Sequence, residues 1–338
     1  MEGTYANPVP PFTAGPGDVG DSFVTPILSF KTDLTDAISV AVIAEEPFGA
    51  DVSYAKADPR YPLAGSETSF DSVGLTLLGR YEFGNGFSVH GGARLVRVDA
   101  DLFVRSLNAG LGTFTSHEAG FETDLDLGFV VDAAYERPEI ALRVGVTHSS
   151  ETDFSHDTAY TLRAEPGGIP IEVGRGTGLT EYTLPQSVNL DVQTGIAPGT
   201  LLFGSVRWAD WSETKIEVPG PYPANPVVNY EGDYVTYTLG VGRQITDRLS
   251  SAVSVIYEPG VESEFSPAYP LGTGGSNLSP ADGQLAVLLA SSYQLTDNPE
   301  VRGGIRFARQ GDVSTGLIGA RFEDNTAVSV GLRVGYRF

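Results

Sequence analysis

The stretch VSVGLRVGYRF, residues 328–338, ends the chain and alternates between two kinds of side chain. One face carries only apolar and aromatic residues: Val328, Val330, Leu332, Val334, Tyr336 and Phe338. The other face carries small or cationic residues: Ala327, Ser329, Gly331, Arg333, Gly335 and Arg337. Because successive side chains of a β-strand point to opposite faces, this period of two predicts a strand. Small and cationic residues make a poor core, so the pattern indicates a strand whose apolar side points outward.

The same alternation recurs along most of the chain. Segments with this period lie at residues 73–83, 121–135, 140–146, 188–192, 202–208, 235–241, 253–257 and 301–307. In the second of these, one predicted apolar face carries Phe121, Leu125, Leu127, Phe129 and Val131. Together with the residues that flank them, these segments are predicted to form strands of about 10 residues, which is the length of a tilted β-strand that crosses a bilayer. The chain is therefore predicted to be all-β.

Short and long connections alternate between these segments. The short ones are tight turns: TDLTDA (32–37), FGNG (83–86), ERPE (136–139), IAPG (196–199), ITDR (245–248) and LTDN (295–298). The long ones cover roughly residues 50–67, 105–120, 150–182, 213–231, 259–282 and 312–324. Outer-membrane barrels have short periplasmic turns and long external loops. Because a closed barrel satisfies every backbone hydrogen bond of strands in hydrocarbon, the sequence predicts a transmembrane antiparallel up-and-down β-barrel.

Composition narrows the functional classes. The 338 residues include no Cys, which excludes disulfides and thiolate metal sites. The formal net charge of −22 argues against a nucleic-acid partner, since phosphate binding needs clustered Lys and Arg. No apolar run approaches the length of a membrane-spanning helix. No cofactor or metal site is predicted.

The strand count divides the chain into two parts. About 13 strands are visible from Asp21 to Phe338, so residues 21–338 are predicted to form the barrel. Residues 1–20 are rich in Pro and Gly and are predicted to be an N-terminal remnant outside it, because Pro interrupts a strand ladder. Bacterial single-chain barrels have an even number of strands. We therefore expect a preceding strand that this sequence does not supply.

Three stretches resemble the FadL-type long-chain fatty acid transporters of Gram-negative outer membranes. They are TLPQSVNL (183–190), SVRWADWSE (205–213) and AISVAVIAEEPFGADVSY (37–54), with PFG just after a strand. The resemblance covers the chain from about residue 21 to the end. It implies a barrel of 14 strands plugged by an N-terminal hatch, and residues 1–20 are too few for such a plug. It also implies capture of hydrophobic substrates in an external groove, an inner pocket, and release sideways through a gap at a kinked strand.

Five aromatic residues are candidates for contact with a hydrophobic substrate. Phe48, between Pro47 and Gly49, is either a wall of the substrate path or part of an ordinary strand-end turn. Trp211, predicted at the outer end of a strand and three residues after Trp208, either lines an external groove or belongs to an aromatic girdle. Two long loops carry the other three: Tyr222, Phe265 and Tyr269. Apolar side chains in external loops either form a capture groove or pack on one another.

Arginines on the inward face of the predicted barrel are candidates for binding a carboxylate head group. Arg207 and Arg306 are two of them. The alternative is a network of mutually paired lumen charges that stiffens the barrel. The sequence does not choose among the inward arginines.

The sequence thus predicts a Gram-negative outer-membrane protein that passes hydrophobic compounds, long-chain fatty acids first, by passive diffusion. Its other expected partners are outer-membrane lipid and lipopolysaccharide, and the barrel assembly machinery through the terminal aromatic Phe338. Two alternatives stay open: a general or aromatic-hydrocarbon diffusion porin, and a soluble all-β binding protein. An enzyme is not predicted, because His148 and the adjacent Ser149 face opposite sides of a strand and cannot act as a base and nucleophile pair.

Overall fold

The structure, a computed structural model, describes residues 1–5, 14–20, 22–108, 112–221, 226–264, 274–316 and 318–338. The first strands are β1 Glu2–Tyr5, β2 Gly17–Asp18, β3 Leu28–Asp33, β4 Ile38–Glu45, β5 Gly49–Ser53, β6 Glu67–Glu82 and β7 Phe87–Asn108. The middle strands are β8 Thr113–Phe121, β9 Asp124–Arg137, β10 Leu142–Ser149, β11 Thr152–Ala164, β12 Ile171–Leu184, β13 Ser187–Ala197, β14 Thr200–Ala209, β15 Lys215–Ile216 and β16 Val228–Asn229. The last strands are β17 Tyr234–Gln244, β18 Leu249–Glu258, β19 Gln284–Gln294, β20 Pro299–Gln310, β21 Val313–Ser314, β22 Ala320–Phe322 and β23 Thr326–Tyr336. Three short 3-10 helices lie at Pro138–Ile140, Pro166–Gly168 and Trp211–Glu213.

Antiparallel strands form the wall of a barrel, as predicted. Several crossings are interrupted: β4 and β5 both pair with β6, and β8 and β9 both pair with β7. In the same way β10 continues into β11, and β12 into β13. With each interrupted crossing counted once, the wall formed by the described residues has 13 strands, which confirms the predicted count. The six predicted tight turns all connect neighbouring strands.

The outer ends of the strands are longer than the sequence predicted. Residues 105–120 and 150–182 were expected to be loops, but β7, β8, β11 and β12 extend through most of them. Above the interruptions, β7 pairs with β8, β8 with β11, and β11 with β12. Below the interruptions, the order is instead β7, β9, β10, β13 and β14. The strand wall therefore splits, and an outer sheet continues beyond the barrel.

The apolar face changes sides along a single strand. On the lower part of β7, Leu95 faces outward and is 40% exposed. From the next residue upward the inward face becomes apolar, since Val96 and Val98 are fully buried. The outward face becomes charged at the same level, with the ion pair of Arg97 and Asp99. The lower barrel is thus apolar outside, and the outer sheet is apolar inside.

One predicted face assignment is wrong. Phe121 was placed on the outward face with Leu125, four residues later. The two strands β8 and β9 are separated by residues 122–123, and this break shifts the alternation. Phe121 consequently lines an internal cavity, whereas Leu125 is exposed on the outer wall.

The wall has a seam where its first and last strands meet. Strand order places β23 beside β3, but no register of paired residues joins these two described strands. Because the strands alternate in direction and their number is odd, β3 and β23 run the same way. Side chains on both remain exposed, such as Leu28 and Val330. Phe30 and Phe338 stack across the lower end, with ring centroids 5.7 Å apart.

The outer end of the molecule is covered by packed loops. β1 pairs with β2 and β22, and β22 pairs with β21, so the described N-terminal residues belong to a small sheet here. An apolar cluster beneath this sheet contains Val19, Tyr54, Tyr61, Leu102 and Phe322, all buried. No helix in the described ranges is long and apolar enough to span a membrane.

Candidate functional site

A cavity of about 300 Å³ lies at the level where the polarity of the wall inverts. Its walls come from the inner faces of β6, β7 and β12, from the segment between β4 and β5, and from the loops after β14 and β18. Six aromatic residues line it: Phe48, Phe70, Phe121, Tyr182, Trp211 and Tyr230. The structure thus brings the predicted residues Phe48 and Trp211 into one cavity.

Phe48 reaches the cavity because of a bulge in the strand wall. β4 ends its ladder with Glu45 opposite Gly74, and β5 begins with Gly49 opposite Asp71. Residues 46–48 therefore lie opposite only two residues of β6, 72 and 73. Such an extra residue bends a strand and changes the direction of its side chains. Pro47 favours this break because it has no backbone N–H for the ladder. A side chain at position 74 would crowd the Pro47 ring, whose nearest atoms would lie 3.2 Å from the added Cβ.

A serine of the opposite strand holds the backbone of the bulge. The Phe48 N–H donates to Ser72 Oγ at 2.9 Å, and the same hydroxyl donates to the Phe48 carbonyl. Ser72 is only 3% exposed. One hydroxyl thus satisfies both backbone groups that the interrupted ladder leaves open.

Trp211 lies on a turn, and the prediction that it lies on a strand is wrong. β14 ends at Ala209, and a 3-10 helix begins at Trp211. The carboxylate of Asp233 accepts from Trp208 Nε1 at 3.0 Å and from the Ser212 N–H at 3.2 Å, which fixes this turn. The Trp211 ring lies edge-on to Phe48 at 6.0 Å and 4.8 Å from Tyr230. Such aromatic pairs are favourable beyond the area that they bury.

A histidine that the sequence reasoning missed lies behind the opposite wall and packs against the lining residue Tyr182. His156 forms a cluster of three mutually stacked rings with Phe154 and Tyr182, whose centroids lie 6.0 and 5.4 Å from its own and 5.6 Å from each other. His156 Nδ1 lies 2.7 Å from the Glu122 carbonyl, which only accepts, so Nδ1 carries the proton. In the neutral ring Nε2 then accepts from the Tyr182 hydroxyl, also at 2.7 Å. Because that hydroxyl is engaged, Tyr182 presents mainly its apolar ring to the cavity. The sequence signal for this pair is the period of two, which places Phe154 and His156 on one face of a strand with exposed residues between them.

The cavity itself carries little charge. Asp101 is the one ionisable carboxylate among its lining residues, and no Lys, Arg or His lines it within the described part of the chain. Arg94 lies on the other side of Phe48, with its guanidinium carbon 5.8 Å from the ring centroid. Its buried Nε has no hydrogen-bond partner, and the charges of Glu45 and Arg207 act on it. The site therefore consists of an apolar cavity above and arginines below.

The remaining predicted residues do not join the cavity. Arg207 faces the lumen below it and is exposed there, in register with Asn189 of β13. Arg306 also faces the lumen and donates to the Gln284 side chain. Tyr222, Phe265 and Tyr269 lie outside the described residues. Among those that are described, no cluster of three or more acidic or His side chains is arranged to hold a metal ion.

Comparisons with known proteins agree on the fold. No protein-family model and no curated protein matches the sequence. Among solved structures the chain is similar to a Pseudomonas aeruginosa FadL homologue, with 14% identity, a TM-score of 0.70, and coverage of 92% of this chain and 77% of that one. It is similar to the Pseudomonas putida toluene transporter TodX, with 11% identity, a TM-score of 0.67, and coverage of 94% and 83%. It is also similar to the CymD monoaromatic hydrocarbon channel, with 13% identity, a TM-score of 0.65, and coverage of 93% of this chain and 83% of that one. The resemblance to FadL-type proteins is thereby confirmed at the level of the fold: this chain forms a β-barrel similar to theirs.

Proposed function

We propose that this protein is a channel of the Gram-negative outer membrane through which hydrophobic molecules pass by diffusion. The observation that carries the proposal is the aromatic cavity at the outer end of a barrel whose lower wall is apolar toward its surroundings. A hydrophobic molecule gains free energy by entering such a cavity from water, at about 25 cal/mol for each Å² of apolar surface removed. The chain needs no chemistry or energy source for this task.

The lower lumen gives the molecule a way onward. Asp191 and Arg207 face inward, because their neighbours Val188, Leu190 and Val206 are on the outer wall. Both charged side chains are exposed although they point into the barrel. The lumen below the cavity is therefore open to water, and a molecule that leaves the cavity downward meets a polar path.

Long-chain fatty acids are the first substrate that we propose. An acyl chain suits the apolar walls, and Arg94 and Arg207 lie below the cavity where a carboxylate needs a cationic partner. Monoaromatic hydrocarbons are the second candidate. They are favoured by the six aromatic rings and by the lack of a cationic side chain among the lining residues.

The soluble binding-protein alternative is less well supported. It requires polar outward faces, and the outward side chains of the lower barrel are apolar, as at Leu77, Leu95 and Phe129. The terminal Phe338 is exposed. We propose that it contacts the assembly machinery, and that the apolar lower wall contacts outer-membrane lipid and lipopolysaccharide.

The chain offers an internal probe for testing this function, because it has only two tryptophans. In a Trp208→Phe variant, Trp211 remains as the single indole and lies in the cavity. We expect its fluorescence to change saturably when a long-chain fatty acid or toluene is added to the detergent-folded protein, and not when maltose is added. A response to fatty acid alone, or to toluene alone, selects the substrate class.

The matched control is Trp211→Phe, which leaves Trp208 as the only indole. Trp208 is held by Asp233 and does not line the cavity. Its emission is expected not to respond to either ligand. Equal responses of the two variants would show that the ligands act on the detergent or the outer wall, and the proposed function would then be wrong.

A further inference from the structure

Phe48 stands between two compartments of different character. Above it lies the aromatic cavity, which Phe48 itself lines together with Trp211. Below it lies the polar lumen, where Arg94 approaches the other side of the ring. On β7 the inward face changes from Arg94 to the buried Val96 within one step of the alternation. The ring thus lies at the boundary where the lining of the path changes from apolar to charged.

We propose that Phe48 is the gate between the cavity and the lumen, and that Ser72 is the positioning residue that holds this gate closed. The proposal rests on the proposed function for the nature of the molecule that passes. The gate itself is defined by contacts of this chain and can be tested with ions alone.

Ser72 is suited to this role because the bulge has few other fixed points. Residues 46–48 lie outside the ladders of β4 and β5, so no backbone pairing with β6 fixes them. Pro47 has no N–H to donate. The two bonds from the Ser72 hydroxyl are therefore what fixes the Phe48 backbone against the wall. Removing that one oxygen frees both backbone groups at once.

Two contacts fix the ring itself. Trp211 meets it from the cavity side at 6.0 Å, and the Arg94 guanidinium meets it from the lumen side at 5.8 Å. A guanidinium near an aromatic face is attracted by the negative charge density of the ring. Since the Nε of Arg94 has no other partner, the ring is an important neighbour of this buried cation. The adjoining cavity gives the ring space to move when the backbone is released.

The test is the ionic current through the whole chain in planar lipid bilayers. We expect small currents from the unchanged protein, because the closed ring separates the lumen from the outer end. Phe48→Ala should raise the mean current several-fold by removing the obstruction. Ser72→Ala should also raise it, mainly by increasing the fraction of time spent in a conducting state.

Thr76→Ala is the matched control for Ser72→Ala. Thr76 lies on the same strand and the same inward face, is nearly as buried, and makes no hydrogen bond with Phe48. Its loss should leave the current unchanged. An equal rise in Thr76→Ala would overturn the role of Ser72, because loosening of the wall in general would then explain both results.

A folded Phe48→Ala barrel with the current of the unchanged protein would overturn the gate. If that variant does not fold, Phe48→Leu replaces it, and a current no higher than that of the unchanged protein has the same meaning. The Trp211 fluorescence test reports independently on the proposed function. If Trp211 responds to ligand but the Phe48 and Ser72 variants carry the current of the unchanged protein, only the gate is contradicted. If those variants carry more current but Trp211 does not respond to ligand, only the proposed function is contradicted.

Discussion

The lower barrel and the outer sheet are built from the same strands, yet they bury opposite faces. On β6, Leu77 points outward from the lower barrel, whereas six residues earlier the exposed Asp71 occupies the same face of the outer sheet. On β7, Leu95 is an outward apolar residue, and Val98 is an inward one. The strand geometry does not change between the two regions. What changes is the solvent on each side of the wall.

The level of this inversion marks the outer edge of the apolar band. In the proposed membrane channel, the wall below this level meets hydrocarbon on the outside and water inside, so apolar residues point out. Above it the outer sheet has water outside and a packed interior, as a soluble β-sheet has. The cavity occupies this level because here the interior first becomes apolar. Four predictions test the contrast between the two regions.

The largest effect is expected from truncation inside the outer sheet. Phe154 is 2% exposed and stacks on His156 and Tyr182. Phe154→Ala should lower the free energy of unfolding by about 3–5 kcal/mol, as for other buried aromatic residues. Denaturant titration of the folded protein measures it. Phe103→Ala, on the outward face of the same sheet, should cost clearly less, and equal losses would contradict an apolar interior in this region.

The lower barrel should instead be sensitive to charge on its outer face. Leu77 lies midway along the outward apolar run of β6, from Val73 to Tyr81. Leu77→Arg should cost about 2–4 kcal/mol of stability in lipid vesicles, because an arginine at the middle of the bilayer is poorly solvated. Asp71→Arg on the same strand and face lies above the inversion, where the side chain is exposed, and should be nearly neutral. Similar costs at both positions would show that the outer face does not change its surroundings there.

The cavity at the inversion level should lose affinity when its aromatic wall is cut. Trp211→Ala removes the ring that contacts both Phe48 and Tyr230. We expect about tenfold weaker binding of a labelled hydrophobic ligand, or ~1.4 kcal/mol. Competition binding to the detergent-folded protein measures this change. Trp208→Phe keeps the Ser212 N–H bond to Asp233 and serves as the comparison, so it should lose much less affinity than Trp211→Ala; an equal loss would place the ligand elsewhere.

The smallest effect concerns pH and the outer loops. Burial raises the pKa of Glu262 from its ordinary value of 4.5 to about 7, and the neighbouring carboxylates of Glu231 and Asp282 add to the shift. The folded protein therefore holds a proton that the unfolded chain releases, so stability falls as the pH rises from about 4.5 to 7. Because the carboxyl is partly exposed, we expect a loss on the order of 1 kcal/mol. Glu262→Gln should abolish this pH dependence. If the stability of the unchanged protein instead rises over this interval, and Glu262→Gln removes the rise, the pKa of Glu262 is lowered and the prediction is wrong.

Much of the fold could be predicted from the period of two in the sequence. Alternation in residues 328–338 and the six tight turns are local properties, and they placed the strands of the lower barrel and the number of crossings. The period alone does not tell which medium lies on which side. Val96 and Val98 therefore could not be assigned to an interior from their spacing, and the outer ends of β11 and β12 were taken for loops.

The candidate site was only partly predictable for a related reason. Phe48 is recognisable in the sequence because Pro47 and Gly49 flank it, and Trp211 because tryptophan is rare in this chain. Their contact depends on a bulge and on a turn held by Asp233, and neither has a local sequence signature. Phe121 was given the wrong face because a two-residue break shifted the alternation. Ser72 and Arg94 act through long-range contacts, which a single sequence does not reveal.

The seam between β3 and β23 limits how the wall can be completed. Both edge strands run toward the side of the short turns, and in one membrane every copy of this chain has the same orientation. Two copies that meet edge to edge therefore bring strands of like direction together, and antiparallel pairing between them is impossible. Backbone groups left unpaired in hydrocarbon cost several kcal/mol each. A strand that pairs antiparallel with both edges of the seam has to run outward, against them both.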